Sequence, residues 1–173
     1  MYTVKLMASP DSSFDPSDPD GMHEWMTDRM VAATQAYTPQ IHSIKDMVFQ
    51  IRCASRKGQM DRLIVMAHGV SQGDTILIGN ESLSSGTISQ YSKLLGEVRE
   101  YFSKRGYAHF QSCFVGMSYG RNSVLVELAN LFGVPVYGGT GEENPIWHFN
   151  GGGYVVARPH GALTPTHRPQ FGM

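Results

Sequence analysis

The chain has 173 residues, a length that fits one domain with its own core and leaves little room for two. Its apolar content of 41% is ordinary for a soluble globular protein, its formal net charge is −1, and its basic residues are scattered, which argues against a nucleic-acid partner. No stretch approaches the roughly 18–20 apolar residues that span a bilayer, and the opening Met1-Tyr2-Thr3-Val4-Lys5-Leu6-Met7 lacks the apolar region of a signal peptide, so the expectation is a cytoplasmic protein with no membrane partner.

Residues 3–8 read as a short opening strand. Residues 9–21 hold three Pro and four Asp and read as a long loop. Over 22–37 the positions of Trp25, Met26, Met30 and Ala33 give helical spacing. Ser43 reads as the N-cap of a second helix that runs through Ile44, Met47, Val48 and Ile51 and stops at Lys57-Gly58. Residues 62–67 are the strongest strand signal, an unbroken apolar run from Leu63, as expected where a strand is covered on both faces. The run stops at His68-Gly69. Residues 75–83 read as a small hairpin turning at Gly79-Asn80. Residues 87–103 read as one helix, with Ile88, Tyr91, Leu94, Leu95, Val98 and Phe102 on a stripe and Gly106 as its stop.

A second buried strand is expected over 108–112, ending at Cys113. Residues 121–132 read as a helix closed by Gly133, and 134–137 as a strand ending in Gly138-Gly139-Thr140-Gly141. Residues 146–149 and 154–157 read as a terminal hairpin around Asn150-Gly151-Gly152-Gly153. The expected organisation is one domain over 1–158 with a flexible Pro/His-rich tail over 159–173. Helices alternating with buried strands predict an α/β fold, a three-layer α/β/α sandwich around a mostly parallel central sheet.

In open sheets of this kind ligands bind outside the carboxyl ends of the strands. Three such ends stand out: His68-Gly69, Cys113, and the glycine cluster at 138–141. Two thiols do not make a disulfide framework, so Cys53 and Cys113 are each a small hydrophobe or a reactive thiol. Cys53 falls within a helix and reads as packing. Cys113 falls at a strand end, and His68 falls at another. If those strands are parallel neighbours, the two ends lie roughly 5 Å apart. An imidazole there can take the thiol proton and later protonate a leaving amine. The backbone N–H groups of Gly69 and Cys113 are candidate oxyanion donors. Ser112, Gly116, Gly139, Thr140 and Glu142 are the candidates for lining a substrate cleft, and Glu142 and Glu143 would favour a basic residue beside the scissile bond.

A strand ending His-Gly, followed by a helix and a strand ending in a small residue plus Cys, resembles the caspase-like cysteine peptidases, the group of caspases, metacaspases, gingipain-type and CHAT-type proteases. The local caspase pattern is Gln-Ala-Cys-x-Gly with the His about 50 residues upstream. Here Gln111-Ser112-Cys113-Phe114-Val115-Gly116 follows His68 by forty-five positions to the Cys, with Ser before the Cys and one more residue before the Gly. The resemblance spans about residues 61–137. It implies a thiol hydrolase acting on a protein or peptide substrate, with Cys113 as nucleophile, His68 as base and no cofactor. Aspartate specificity does not carry over, because the basic pocket for it is not identifiable.

Other readings compete. The same fold can serve as an inert binding or regulatory module, or as a bacterial effector domain. Gly116-Met117-Ser118-Tyr119-Gly120 matches the nucleophile elbow of serine hydrolases, with Glu142 or Glu143 and His148 or His160 as its partners. Against it, Cys113 rather than Ser118 holds the strand end. No His-x-x-x-His or Cys-x-x-Cys pair occurs, which argues against zinc. The glycine cluster lacks the Lys of a phosphate-binding loop and is read as lining a cleft.

Overall fold

The computed structural model describes residues 2–8, 38–117, 122–144 and 149–169. The loop expected at 9–21, the helix expected at 22–37, Ser118 and His148 lie outside them.

Seven strands form the main sheet: β1 (Thr3–Ala8), β2 (Gln40–Ile41), β3 (Met60–Met66), β7 (Phe102–Gln111), β8 (Val136–Gly139), β11 (Tyr154–Ala157) and β12 (Leu163–Thr166). Their order across the sheet is β12-β11-β8-β7-β3-β1-β2. From β2 to β8 neighbouring strands are parallel, while β11 and β12 add antiparallel to β8 and to each other. The fold is therefore α/β with a mostly parallel mixed sheet. A small antiparallel sheet of β4 (His68–Gly69), β5 (Thr75–Ile78) and β6 (Glu81–Ser84) rises from the end of β3. A two-residue ladder joins β9 (Glu143–Asn144) to β10 (Phe149–Asn150).

Period-two alternation gives the sheet two faces. Val4, Leu6, Leu63, Val65, Ala108, Phe110 and Val136 share a core with the helices. Helix α1 (Ile44–Ser55) buries Ile44, Met47, Val48 and Ile51 there, at the spacing of one helical face. The Ser43 hydroxyl caps it, accepting the Asp46 N–H at 3.0 Å, and the Glu81 carboxylate accepts the Ile44 N–H at 2.6 Å. Helix α3 (Val124–Phe132) is capped by Ser123, and Gly133 ends it at φ +69°, its N–H donating to Ala129. Successive crossovers from β3 to β7 to β8 advance in one direction, and right-handed connections then place their helices on one face. The opposite face carries Met7, Ile64, Met66, His109, Gln111 and Val156, all buried. There Tyr107 stacks edge-on against Tyr137 at 5.4 Å, and burial pushes its hydroxyl above the ordinary tyrosine range, opposed by the Arg62 charge.

Several expectations need correction. The helix expected over 87–103 is three short pieces: a tight turn at Ile88–Tyr91, α2 (Ser92–Gly96), and a second tight turn at Glu97–Tyr101. The Ser92 hydroxyl bonds back to the Ser89 carbonyl, and Gly96 is a weak helix former. Gly106 is not the helix stop but lies inside β7, which starts at Phe102 and shifts register there against β3. An added β-carbon at Gly106 would lie 2.8 Å from the Phe102 ring and 3.2 Å from the Met60 carbonyl. The expected terminal hairpin does not form as such: β11 pairs with β8 and β12, and β10 pairs with β9. The segment expected to be a flexible tail from 159 carries β12, and Pro169 beyond it is buried. Among the described residues no helix is long and apolar enough to cross a membrane.

Candidate active site

β3 and β7 are adjacent and parallel, with Met66 opposite Gln111, and the Ala67 N–H donates to the Gln111 carbonyl at 3.1 Å. Two residues beyond that pair on each strand stand His68 and Cys113. The ladder ends with Met66 and Gln111: His68 opens β4, and Cys113 begins a turn. The two strand ends are stitched by Ser112, whose hydroxyl donates to the His68 carbonyl at 2.7 Å and lies 3.1 Å from the Ala67 carbonyl. Gly69 completes the contact: a β-carbon there would lie 2.0 Å from the Cys113 carbonyl oxygen and 3.0 Å from its nitrogen. Only glycine lets the two backbones meet so closely. His68, Gly69, Cys113 and Phe114 are half-buried.

His68 is held from its other side as well. As β4 it leaves the main sheet and pairs with Leu77 of β5. The connection after it turns tightly, the Gly73 N–H donating to the Val70 carbonyl at 2.8 Å, and packs against the Cys113 turn near Phe114 and Met117. Asp74, at φ +54°, closes that connection. Its carboxylate accepts the Val124 N–H at the start of α3 at 2.5 Å and both the N–H and the hydroxyl of Ser85. One side chain thus ties the His68 arm to the helix that follows the Cys113 turn.

The turn after Cys113 is over-determined. Phe114 sits at φ +57°, a left-handed conformation that costs a non-glycine residue free energy unless its surroundings hold it. Its N–H donates to the Gly141 carbonyl at 2.9 Å, Gly116 N–H donates to the Gly139 carbonyl at 2.8 Å, and Met117 N–H closes back on the Phe114 carbonyl. Val115 is fully buried, which anchors the turn by about 1.5–3 kcal/mol. Gly138 and Gly139 make room: β-carbons there would lie 2.7 Å from Val115 and Leu125, and 1.9 Å from the Asn150 amide nitrogen.

The rim candidates divide. His68, Gly69 and Cys113 converge, and the glycine cluster adjoins them. Ser112, Gly116 and Gly139 are buried and serve as structure rather than as cleft wall. Thr140 clasps Gly153, its hydroxyl accepting the Gly153 N–H at 2.8 Å and donating to the Gly153 carbonyl at 3.1 Å. Glu142 is exposed. The N–H groups of Thr140, Gly141, Gly151, Gly152 and Gly153 all have partners within this loop pair, so the cluster is a closed lock and not a cradle for phosphate. Sequence reasoning missed Asn150, which looks like an ordinary turn residue ahead of three glycines.

The serine alternative finds little support. β7 ends at Gln111, well before Ser118, and Gly116 is buried against Val155 and Gly139. His160 follows Ala157, which pairs with Val136 at the start of β8, so it stands at the opposite sheet edge from Gly139. Among the described residues no three His, Cys, Asp or Glu side chains are placed to hold a metal ion. Comparison with known protein families, with curated proteins and with solved structures finds no match for this chain.

Proposed function

We propose that this chain is a thiol hydrolase of the caspase-like kind, acting on a protein or peptide, with Cys113 as nucleophile and His68 as general base and acid. The single observation that supports it is the parallel β3–β7 register, which runs out two residues short of His68 on one strand and Cys113 on the other. In the reaction, His68 takes the proton from the Cys113 sulfur and the sulfur attacks the scissile carbonyl carbon. The backbone N–H groups of Gly69 and Cys113 stabilise the oxyanion. His68 then gives its proton to the departing amine, and water, deprotonated by His68, cleaves the thioester and releases the acid.

The test is thiol chemistry first and turnover second. Iodoacetamide should label Cys113 faster than Cys53 at neutral pH, by about tenfold, because an adjacent imidazole favours the reactive thiolate. Cys113→Ala should abolish cleavage of a peptide library, and His68→Ala should lower it by about 10²-fold or more. Within that library, exposed Glu142 leads to a preference for Arg or Lys over Asp beside the cleaved bond. Equal, slow labelling of both cysteines would overturn the assignment.

A further inference from the structure

Asn150 is buried, and its side-chain amide treats Gly141 as a neighbouring strand would. Its Oδ1 accepts the Gly141 N–H at 3.1 Å, and its Nδ2 donates to the Gly141 carbonyl at 3.1 Å. Oδ1 also accepts the Gly152 N–H at 2.9 Å, and the two backbones touch so closely that a β-carbon on Gly141 would lie 2.3 Å from the Gly152 nitrogen. The Gly141 carbonyl has a second partner, the Phe114 N–H at 2.9 Å. That N–H belongs to the residue after Cys113, the one held at φ +57°. The chain of contacts therefore runs from the Asn150 amide, through one carbonyl, to the strained residue that sets where Cys113 stands. Val115 and the Gly116–Gly139 hydrogen bond hold the far side of the turn. The Cys113 side is held through Gly141.

We infer that Asn150 is a positioning residue for the Cys113 nucleophile, acting by orienting the Gly141 carbonyl that fixes the Phe114 peptide; this rests on the His68–Cys113 reading. Asn suits this place because its short side chain offers a donor and an acceptor in one plane. Aspartate keeps the shape but replaces the Nδ2 donor with an oxygen facing the Gly141 carbonyl. The carbonyl then loses one of its two holds, and Phe114 loses the reason to stay left-handed.

The experiment measures iodoacetamide labelling of Cys113 with His68 present and with His68→Ala in three backgrounds: wild type, Asn150→Asp and Tyr2→Phe. In wild type, loss of His68 should slow labelling about tenfold. In the Asn150→Asp background the same loss should have an effect near onefold, because the imidazole no longer meets the sulfur. This ratio is insensitive to any change in exposure of the thiol, which alters both members alike. Tyr2→Phe, which removes a hydrogen bond from the Tyr2 hydroxyl to Ala54 far from the rim, should keep the full wild-type ratio despite its own stability cost. A wild-type ratio already near one would overturn the His68–Cys113 reading itself. A tenfold ratio that persists in Asn150→Asp would overturn the role of Asn150 alone. If Asn150→Asp does not fold, Asn150→Ala, which removes the Nδ2 donor and the Oδ1 acceptor together, supplies the same comparison, and failure of both to fold would make Asn150 a folding residue and end the inference.

Discussion

An alanine at position 69 would carry its β-carbon to 2.0 Å from the Cys113 carbonyl oxygen, against backbone on both sides, so neither strand end can yield by a side-chain rotation. Gly69→Ala should therefore lower unfolding free energy by about 1–3 kcal/mol, as overpacking does. Gly96→Ala is its control. Gly96 has helical φ −61° and ψ −26° with nothing within 4 Å of an added β-carbon, so the change should raise stability by about 0.5–1 kcal/mol. Urea unfolding of the two variants checks the pair, and shifts of the same sign would refute the close approach at the rim. His68-Gly69 was legible as a sheet rim because it ends the apolar run from Leu63, whereas Cys113 was legible only as the end of the next expected strand, whose His109, Gln111 and Ser112 interrupt any such run. Ser112 was legible as a rim residue but not as a staple. Its partners are the carbonyls of residues 67 and 68, and no local pattern signals a hydrogen bond between segments so far apart. Asn150 was hidden because it reads as an ordinary turn residue ahead of three glycines.

At the scale of elements, the sequence failed where a helix gave way to a strand. The stripe through Val98 and Phe102 looks helical up to Phe102, and Ser103-Lys104-Arg105-Gly106 looks like its polar exit. The ladder instead begins at Phe102 and accommodates the extra residues as a register shift. Asp61 helps hold that start: its carboxylate accepts the Ser103 hydroxyl at 2.7 Å and the Tyr2 N–H at 2.7 Å, joining β7 and β1 across β3. The Ser103 hydroxyl, then the Tyr2 N–H, keep its carboxyl below the ordinary carboxylate range. A carboxyl whose pKa is lower folded than unfolded adds stability above the unfolded value, about 4, and loses it as pH falls through the folded value. Asp61→Asn should thus be less stable than wild type at pH 7, with the gap narrowing below about pH 4 as wild type itself becomes protonated. Urea midpoints across that range decide it, and a gap independent of pH would show that the charge plays no part.

For the whole molecule, the parallel half of the sheet followed from the alternation of helices and buried strands, while the antiparallel half did not. β11 reads as one arm of a hairpin with residues 146–149, and β12, Leu163-Thr164-Pro165-Thr166, lacks the β-branched alternation that marks a strand. Their pairing is set by tertiary contacts instead. Glycines 138 and 139 oppose Val155 and Tyr154 on β11, and Pro165 opposes Val155 on its other side. A proline is tolerated in a sheet only at an edge, where its missing N–H faces outward and discourages further pairing. β12 is thus the cover of β11, whose Val155, Val156 and Ala157 are all buried. A chain ended after Arg158 would leave β11 as an open, apolar edge of this sheet, one strand from the glycine lock beside Cys113. It should melt earlier, by roughly 2–4 °C for each kcal/mol lost in a chain of this size. It should also associate in proportion to concentration as bare edges pair. Light scattering and thermal melts over a dilution series test both. A shortened chain that melts with wild type and stays monodisperse would show that residues beyond 158 are the loose tail their composition suggests.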